Sequence, residues 1–210
     1  LRGSEFNAPW RGGNPAEHLT IVPFTRMLAG PIDYTPGIFE LDLSEYKKGA
    51  FVPTTLGYQL AEYVVIYGPM QMASDLPNNY AKNSRAFKFI KGVPTDWETS
   101  KVINGEIGEY LTIVRKDRHS DNWYLGSLTN NKRRNISLRF SFLSLNTKYV
   151  ATIYADGPNA HWKRNPKILK ISKYIVTSNT RWLLKLAKGG GQAISFVPAD
   201  EESLKSLEEI

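Results

Sequence analysis

Glu5 stands in the run Gly3-Ser4-Glu5-Phe6-Asn7, with Phe6 beside it and Trp10 five residues on. A carboxyl stripped of water by such rings keeps its proton to higher pH and can act as a general acid. Its alternative is a loop carboxylate held by a neighbour, and the residues alone favour that reading. Trp10 reads as a stacking platform or a lid residue. Further on, Gly30-Pro31-Ile32-Asp33-Tyr34-Thr35-Pro36-Gly37 is a rigid loop that could aim a carboxylate and a ring at a ligand. An Asp capping a turn explains the same residues equally well. Glu17-His18 is a loop pair, since adjacent residues rarely share one ion. Cysteine is absent, which excludes a disulfide scaffold and a thiolate metal site. No Ser/His/Asp set emerges. Gly189-Gly190-Gly191 falls between two strands and reads as turn punctuation rather than a phosphate cradle.

These residues need elements to hold them. Leu19-Thr20-Ile21-Val22 is a short β-branched run between punctuated loops and predicts a buried strand, with Glu5, Asn7 and His18 before it and Arg26, Asp33 and Tyr34 after it. Thr54-Thr55 offers a hydroxyl N-cap to a helix from Leu56, whose stripe of Leu56, Leu60, Tyr63, Val64 and Tyr67 ends near Gly68-Pro69. Met70, Met72 and Ala73 predict a second short helix with the methionines as packing fillers, and Pro77 to about Ile90 predicts a third.

At Gly92-Val93-Pro94 the apolar period changes from helical to alternating. Strands are expected at 110–114, 123–129, 136–142, 148–154, 170–176, 181–187 and 192–197. In the third, Ile136, Leu138, Phe140 and Phe142 face one way and Ser137, Arg139 and Ser141 the other. Turn clusters separate the strands at the spacing of an antiparallel sandwich, in which two packed sheets bury such faces. Trp97, Trp123 and Trp182 read as packing residues. Trp162, in a loop between His161 and Lys163, is the aromatic of this half best placed for a ligand. The tail 199–210 predicts a frayed short helix.

The net charge of +7 is uneven: +1 over residues 1–92, +10 over 93–198 and −4 over 199–210. A basic domain can signal nucleic acid, but Arg115, Arg139, Lys170 and Lys185 alternate with apolar neighbours as solvated strand faces do, so no nucleic-acid partner is expected. No apolar run is long enough for a membrane span, and no signal peptide is visible. Leu1-Arg2-Gly3, without a Met, reads as a start within a longer protein.

The motifs GSEFN, NPAEH, VPFTRMLAGPIDYTPG and GYQLAEYVVIYGPMQMASDLP resemble the end of the catalytic domain of glycoside hydrolase family 97. The runs VPTDWETSKVINGEIGEYLTIVRK, DNWYLGSLTN, YADGPNA and KLAKGGGQA resemble that family's C-terminal β-domain, so the likeness extends to about Val197. It implies an α+β fragment in two parts. Residues 1–92 would be the last strand and closing helices of a (β/α)8 barrel, 93–198 an antiparallel β-sandwich for support and oligomerisation, and 199–210 an acidic tail. The resemblance further implies cleavage of terminal α-glycosidic bonds in an oligosaccharide substrate by an α-glucosidase or α-galactosidase type of enzyme in the periplasm. By this resemblance Glu5 falls at the catalytic acid and would contribute to a Ca2+ site most of whose ligands lie upstream. Asn7, Trp10, Asp33 and Tyr34 are the candidate substrate-binding residues. The rival from another class is a non-catalytic carbohydrate-binding or interaction module, which exposed aromatics on a sheet face or loop would favour.

Overall fold

The structure, a computed structural model, describes residues 14–210. Its centre is helix α2, Leu56–Val65, in which every residue is buried. Thr55 is extended, and its hydroxyl accepts from the Tyr58 amide at 3.2 Å, satisfying one of the donors that a first helical turn leaves open. Two more of those donors are taken up by distant loops: Thr55 N donates to Gly189 O and Leu56 N to Pro166 O. The helix stops when Ile66 turns extended, slightly before the expected break at Gly68-Pro69.

Eight strands follow the helices. β1 (Trp97–Glu106), β2 (Tyr110–Asp117), β3 (Trp123–Thr129), β5 (Tyr149–Asp156), β6 (Leu169–Val176) and β8 (Gly191–Pro198) form an antiparallel sheet in the order β1-β2-β3-β8-β5-β6. β4 (Arg134–Arg139) and β7 (Arg181–Leu186) form a separate pair. The large sheet is apolar on both faces. Val114, Leu125, Ile153, Ile194 and Phe196 meet Leu138, Leu184 and Leu186 from the small sheet and Phe140 just after β4. Leu111, Ile113, Tyr124, Leu128 and Ala193 meet α2 on the other side. The sandwich is therefore lopsided, with one face covered by two strands and the other by a helix and its loops. All seven expected strands are present, and β1 is an additional edge strand.

The helical part departs from expectation. Residues His18–Ile21 form a helical turn, α1, followed by 3-10 turns at Val22–Phe24 and Arg26–Ala29, where a strand was predicted. The local hydrogen bonds explain the difference: Thr20 Oγ1 donates to Glu17 O at 2.7 Å and Thr25 Oγ1 to Ile21 O at 3.0 Å, closing turns. Pro23 suits the start of its 3-10 turn, and a four-residue apolar run does not by itself separate strand from buried helix. The strand assigned there as the last of a barrel is absent among the described residues. Residues 69–75 form no helix either. Tyr63 Oη donates to Met72 O and Gln71 Nε2 to Ile66 O, holding the chain open, and Met70 is exposed rather than a packing filler.

The segment 77–92 is two helices, α3 (Pro77–Lys82) and α4 (Ser84–Gly92), parted at Asn83, whose side chain donates to Asn79 O. In the tail, α5 (Glu201–Ser206) is capped by Asp200, which accepts from Ser203 N. The chain then turns extended, and Glu208–Ile210 bond to Ile175 on the free edge of β6, so the last residues blunt a sheet edge.

Candidate functional site

Glu5, Asn7 and Trp10 lie outside the described residues. Asp33 and Tyr34 are on the loop that crosses the buried polar face of α2. Asp33 is half-buried. Tyr34 is 3% exposed, and its side chain hydrogen-bonds Glu62 of α2. Glu62 Oε1 also accepts from Gln59 Nε2 at 3.0 Å, and Oε2 has no hydrogen-bond partner among the described residues. Burial raises this carboxyl well above the ordinary carboxylate range, against the pull of Tyr34 and Gln59, and so favours its neutral form.

Gln59 carries the arrangement onward. Its Oε1 accepts from Gly37 N at 3.1 Å and Ile38 N at 3.0 Å, and its Nε2 also donates to Thr54 Oγ1. Tyr63 Oη reaches Met72 O and Pro36 O. Tyr80 Oη donates to Gly37 O and accepts from Asp75 N; burial pushes its phenol up to about 12. Asp75 Oδ2 in turn accepts from Phe39 N and Glu40 N. One row of α2 side chains thus fixes the backbone from Pro36 to Ile38 and the ring of Tyr34, and Asp75 fixes Phe39 and Glu40, leaving Asp33 as the ionisable group at that end of the loop. Gly37 is at φ 90, and a Cβ there would meet the Tyr63 hydroxyl.

Glu17 and His18 stay apart in role. Glu17 accepts from Asn131 Nδ2 at 3.5 Å, and burial lowers the His18 pKa. Among the described residues no group of three or more His, Asp or Glu could hold a metal ion.

Two polar groups hold α2 against the sheet, Asp156, which the sequence did not single out, and Arg115, which it read as solvated. Asp156, at the end of β5, accepts from Thr55 Oγ1 at 2.6 Å, Ala187 N at 2.8 Å and Gly191 N at 3.0 Å. Burial pushes its carboxyl up to about 6, against those donors. Arg115 is 5% exposed, which corrects its reading as a solvated strand residue. Its guanidinium donates to Val64 O, Val65 O and Ser100 Oγ between the rings of Tyr67 and Trp97, capping the negative end of α2; burial lowers its pKa to about 10. Arg139, Lys170 and Lys185 are exposed, as expected.

A further correction concerns Gly190 and Gly191. They are more than punctuation: a Cβ on Gly190 would collide with Asp156 Oδ2, and one on Gly191 would lie 2.7 Å from Tyr58 Cα. The available signal was Asp156 immediately before Gly157-Pro158, a carboxylate placed where a strand must end. Trp97 and Trp123 are buried and Trp182 packs beside the second core, while Trp162 stacks on Phe51 at 5.5 Å.

Residues 96–197 match the family described as glycosyl-hydrolase 97 C-terminal, oligomerisation. A retaining alpha-galactosidase of Bacteroides thetaiotaomicron is 35% identical over 184 residues, covering 84% of this chain and 26% of that protein. A solved glycoside hydrolase family 97 enzyme from Pseudoalteromonas sp. strain K8, in complex with acarbose, is 46% identical at a TM-score of 0.89, over 95% of this chain and 31% of that one. A β-arabinopyranosidase structure at 23% identity and a TM-score of 0.69 shares the fold. The chain therefore spans between about a quarter and a third of the length of these relatives.

Proposed function

The chain belongs to glycoside hydrolase family 97, with residues 96–197 as its C-terminal domain, and from that premise we propose that it is the C-terminal part of an enzyme cleaving terminal α-glycosidic bonds. The observation that carries this reading is the likeness over 95% of the chain to an enzyme solved with acarbose, joined by that to a retaining alpha-galactosidase. In this reading Glu5 is the general acid that protonates the leaving oxygen, and Asn7, Trp10 and Asp33 contact the sugar. Tyr34, buried against Glu62, fixes the loop that presents Asp33. Calcium, where bound, would be held by Glu5 with carboxylates from outside residues 14–210, since those residues contain no such cluster. A periplasmic location and self-association through residues 96–197 complete the proposal, with residues 1–92 as the end of the catalytic domain.

Glu5→Gln in the full-length enzyme tests the assignment. General acid assistance is worth about a hundred- to ten-thousand-fold in rate. With calcium saturating, the variant should lose that much on a disaccharide and far less on an activated aryl α-glycoside, whose phenolate leaves with little help. Equal losses on both substrates would remove Glu5 from the acid's role. Running the aryl α-glucoside and α-galactoside side by side identifies the preferred hexose. The rival, a binding module, predicts instead that residues 93–198 alone are retained on a polysaccharide matrix.

A further inference from the structure

At one end the two sheets of the sandwich splay into a cleft of about 490 Å³. One wall comes from the residues around Asn135 of β4 and Lys185 of β7, which are paired opposite each other. The other comes from the end of β5, the loop 157–160 and Lys170 of β6, paired opposite Ala155. Arg133, Lys170 and Lys185 line this space, and none of them makes an ion pair among the described residues.

Among the described residues the sole carboxylate in the lining is Asp156, and both its oxygens are already engaged by Thr55, Ala187 and Gly191. The cleft thus gathers three cations around one carboxylate, which feels the charge of Arg133 but whose oxygens are taken by other donors, in the half of the chain that carries a net +10. Grouped like charges raise one another's energy, and a bound anion removes that cost. Asn135 and Asn159 add amide groups to the wall, and no aromatic ring among the described residues lines it. Recognition there rests on charge and hydrogen bonds, with no platform for stacking a nucleobase or the face of a pyranose.

We propose that this cleft is an anion site for a tetrahedral oxyanion of the phosphate or sulfate class, either free or carried as an ester on a sugar. Arg133 supplies a planar fork suited to two oxygens, and Lys170 and Lys185 supply point charges from opposite walls. The site stands at the sandwich end, apart from Asp33 and Tyr34, and does not depend on the catalytic reading.

His161 provides a reporter. It follows the cleft loop directly, and its pKa is lowered by burial and by the charges of Arg164, Lys188 and Arg133. The chain has three histidines, so His18 and His119 serve as internal controls. In the intact chain, histidine NMR titrations are run in chloride, inorganic phosphate and glucose 6-phosphate at equal ionic strength. Phosphate should raise the His161 pKa by about half a unit over chloride, as a new negative charge nearby does, and leave the controls unchanged.

Lys170→Gln with Lys185→Gln should abolish the difference, whereas Lys47→Gln with Lys48→Gln, on exposed residues elsewhere, should preserve it. The melting temperature gives an independent readout, rising with phosphate in the parent chain and the control but not in the cleft variant. A tenfold preference for the sugar ester assigns the site to an esterified ligand, and equal affinity assigns it to the free oxyanion. Identical shifts in phosphate and chloride, or a phosphate effect that survives the cleft substitutions, overturn the proposal.

Discussion

Thr55 Oγ1 donates to Asp156 Oδ1 at 2.6 Å, tying the N-cap of α2 to the last residue of β5 across 101 positions of sequence. The same hydroxyl accepts from the Tyr58 amide, so a single oxygen both starts the helix and docks it. Asp156 Oδ2 meanwhile collects the Ala187 and Gly191 amides, so one carboxyl joins the helix to the turn between β7 and β8.

That carboxyl makes stability depend on pH. Its pKa is about 6 in the folded chain against an ordinary 3.8. Between those values the folded state binds more protons than the unfolded one, so its contribution is fully present below pH ~4 and lost as pH rises through ~6, about 3 kcal/mol in all. Asp156→Asn should flatten this dependence in urea unfolding curves, because an amide can accept from Ala187 and Gly191 and donate to Thr55. Asp156→Ala should instead cost about 3 kcal/mol or more at pH 5, since it strands three donors. A pH slope that persists in Asp156→Asn would place its origin elsewhere.

Arg115 should be equally sensitive at the opposite end of α2. Replacing it by Met keeps much of the stem but leaves the Val64 and Val65 carbonyls without their donor. The expected loss is about 2–4 kcal/mol in chemical denaturation. Arg115→Lys should recover less than half, since a lysine cannot span both carbonyls and Ser100. Full recovery by Lys would show that charge alone suffices there.

Much of this was legible in the sequence, and the exceptions share a cause. The strands showed because Leu138, Phe140, Leu184 and their partners alternate with polar residues. Helix α2 showed because Thr55 and the stripe from Leu56 are local signals. The chain could not show that α2 is buried on every side, because its polar residues, Gln59 and Glu62, depend on partners in the loop 34–38 as well as on Thr54 and each other. Arg115 looked solvated for the same reason: what buries it is the end of a helix 50 residues earlier. β1 was hidden as a polar edge strand with two register shifts. Asp33 and Tyr34 were proposed from loop rigidity, whereas Glu62, which holds Tyr34, required the tertiary fold.

Glu62 gives a prediction with its own sign. Its folded pKa is raised, so its contribution is fully present below the ordinary carboxylate pKa and declines as pH rises toward the folded value. Glu62→Gln keeps the neutral shape and should leave stability at pH 7 within about 1 kcal/mol of the parent, or above it. Glu62→Ala opens a hole beside Tyr34 and Gln59 and should cost about 2–3 kcal/mol. A large loss in Glu62→Gln would mean that the group is charged in the folded chain.

Gly126 supplies the sharpest steric test. It sits in the middle of β3 beneath α2, where an added Cβ would lie 2.6 Å from Ala61 O and 2.9 Å from Val64 Cβ. The first is backbone and the second is the stem of a fully buried residue, so neither can swing aside. Replacing glycine by alanine in a strand ordinarily gains about 0.4–1 kcal/mol by restricting the unfolded chain. Here the helix must lift from the sheet, loosening Leu60, Val64 and Leu128 together, and overpacking of that kind costs about 1–3 kcal/mol. Gly126→Ala should therefore be a net loss in equilibrium unfolding. Gly92→Ala, with nothing within 4 Å of its Cβ, is the matched control and should change little. If Gly126→Ala were as stable as the control, α2 would not be seated against β3 at this distance.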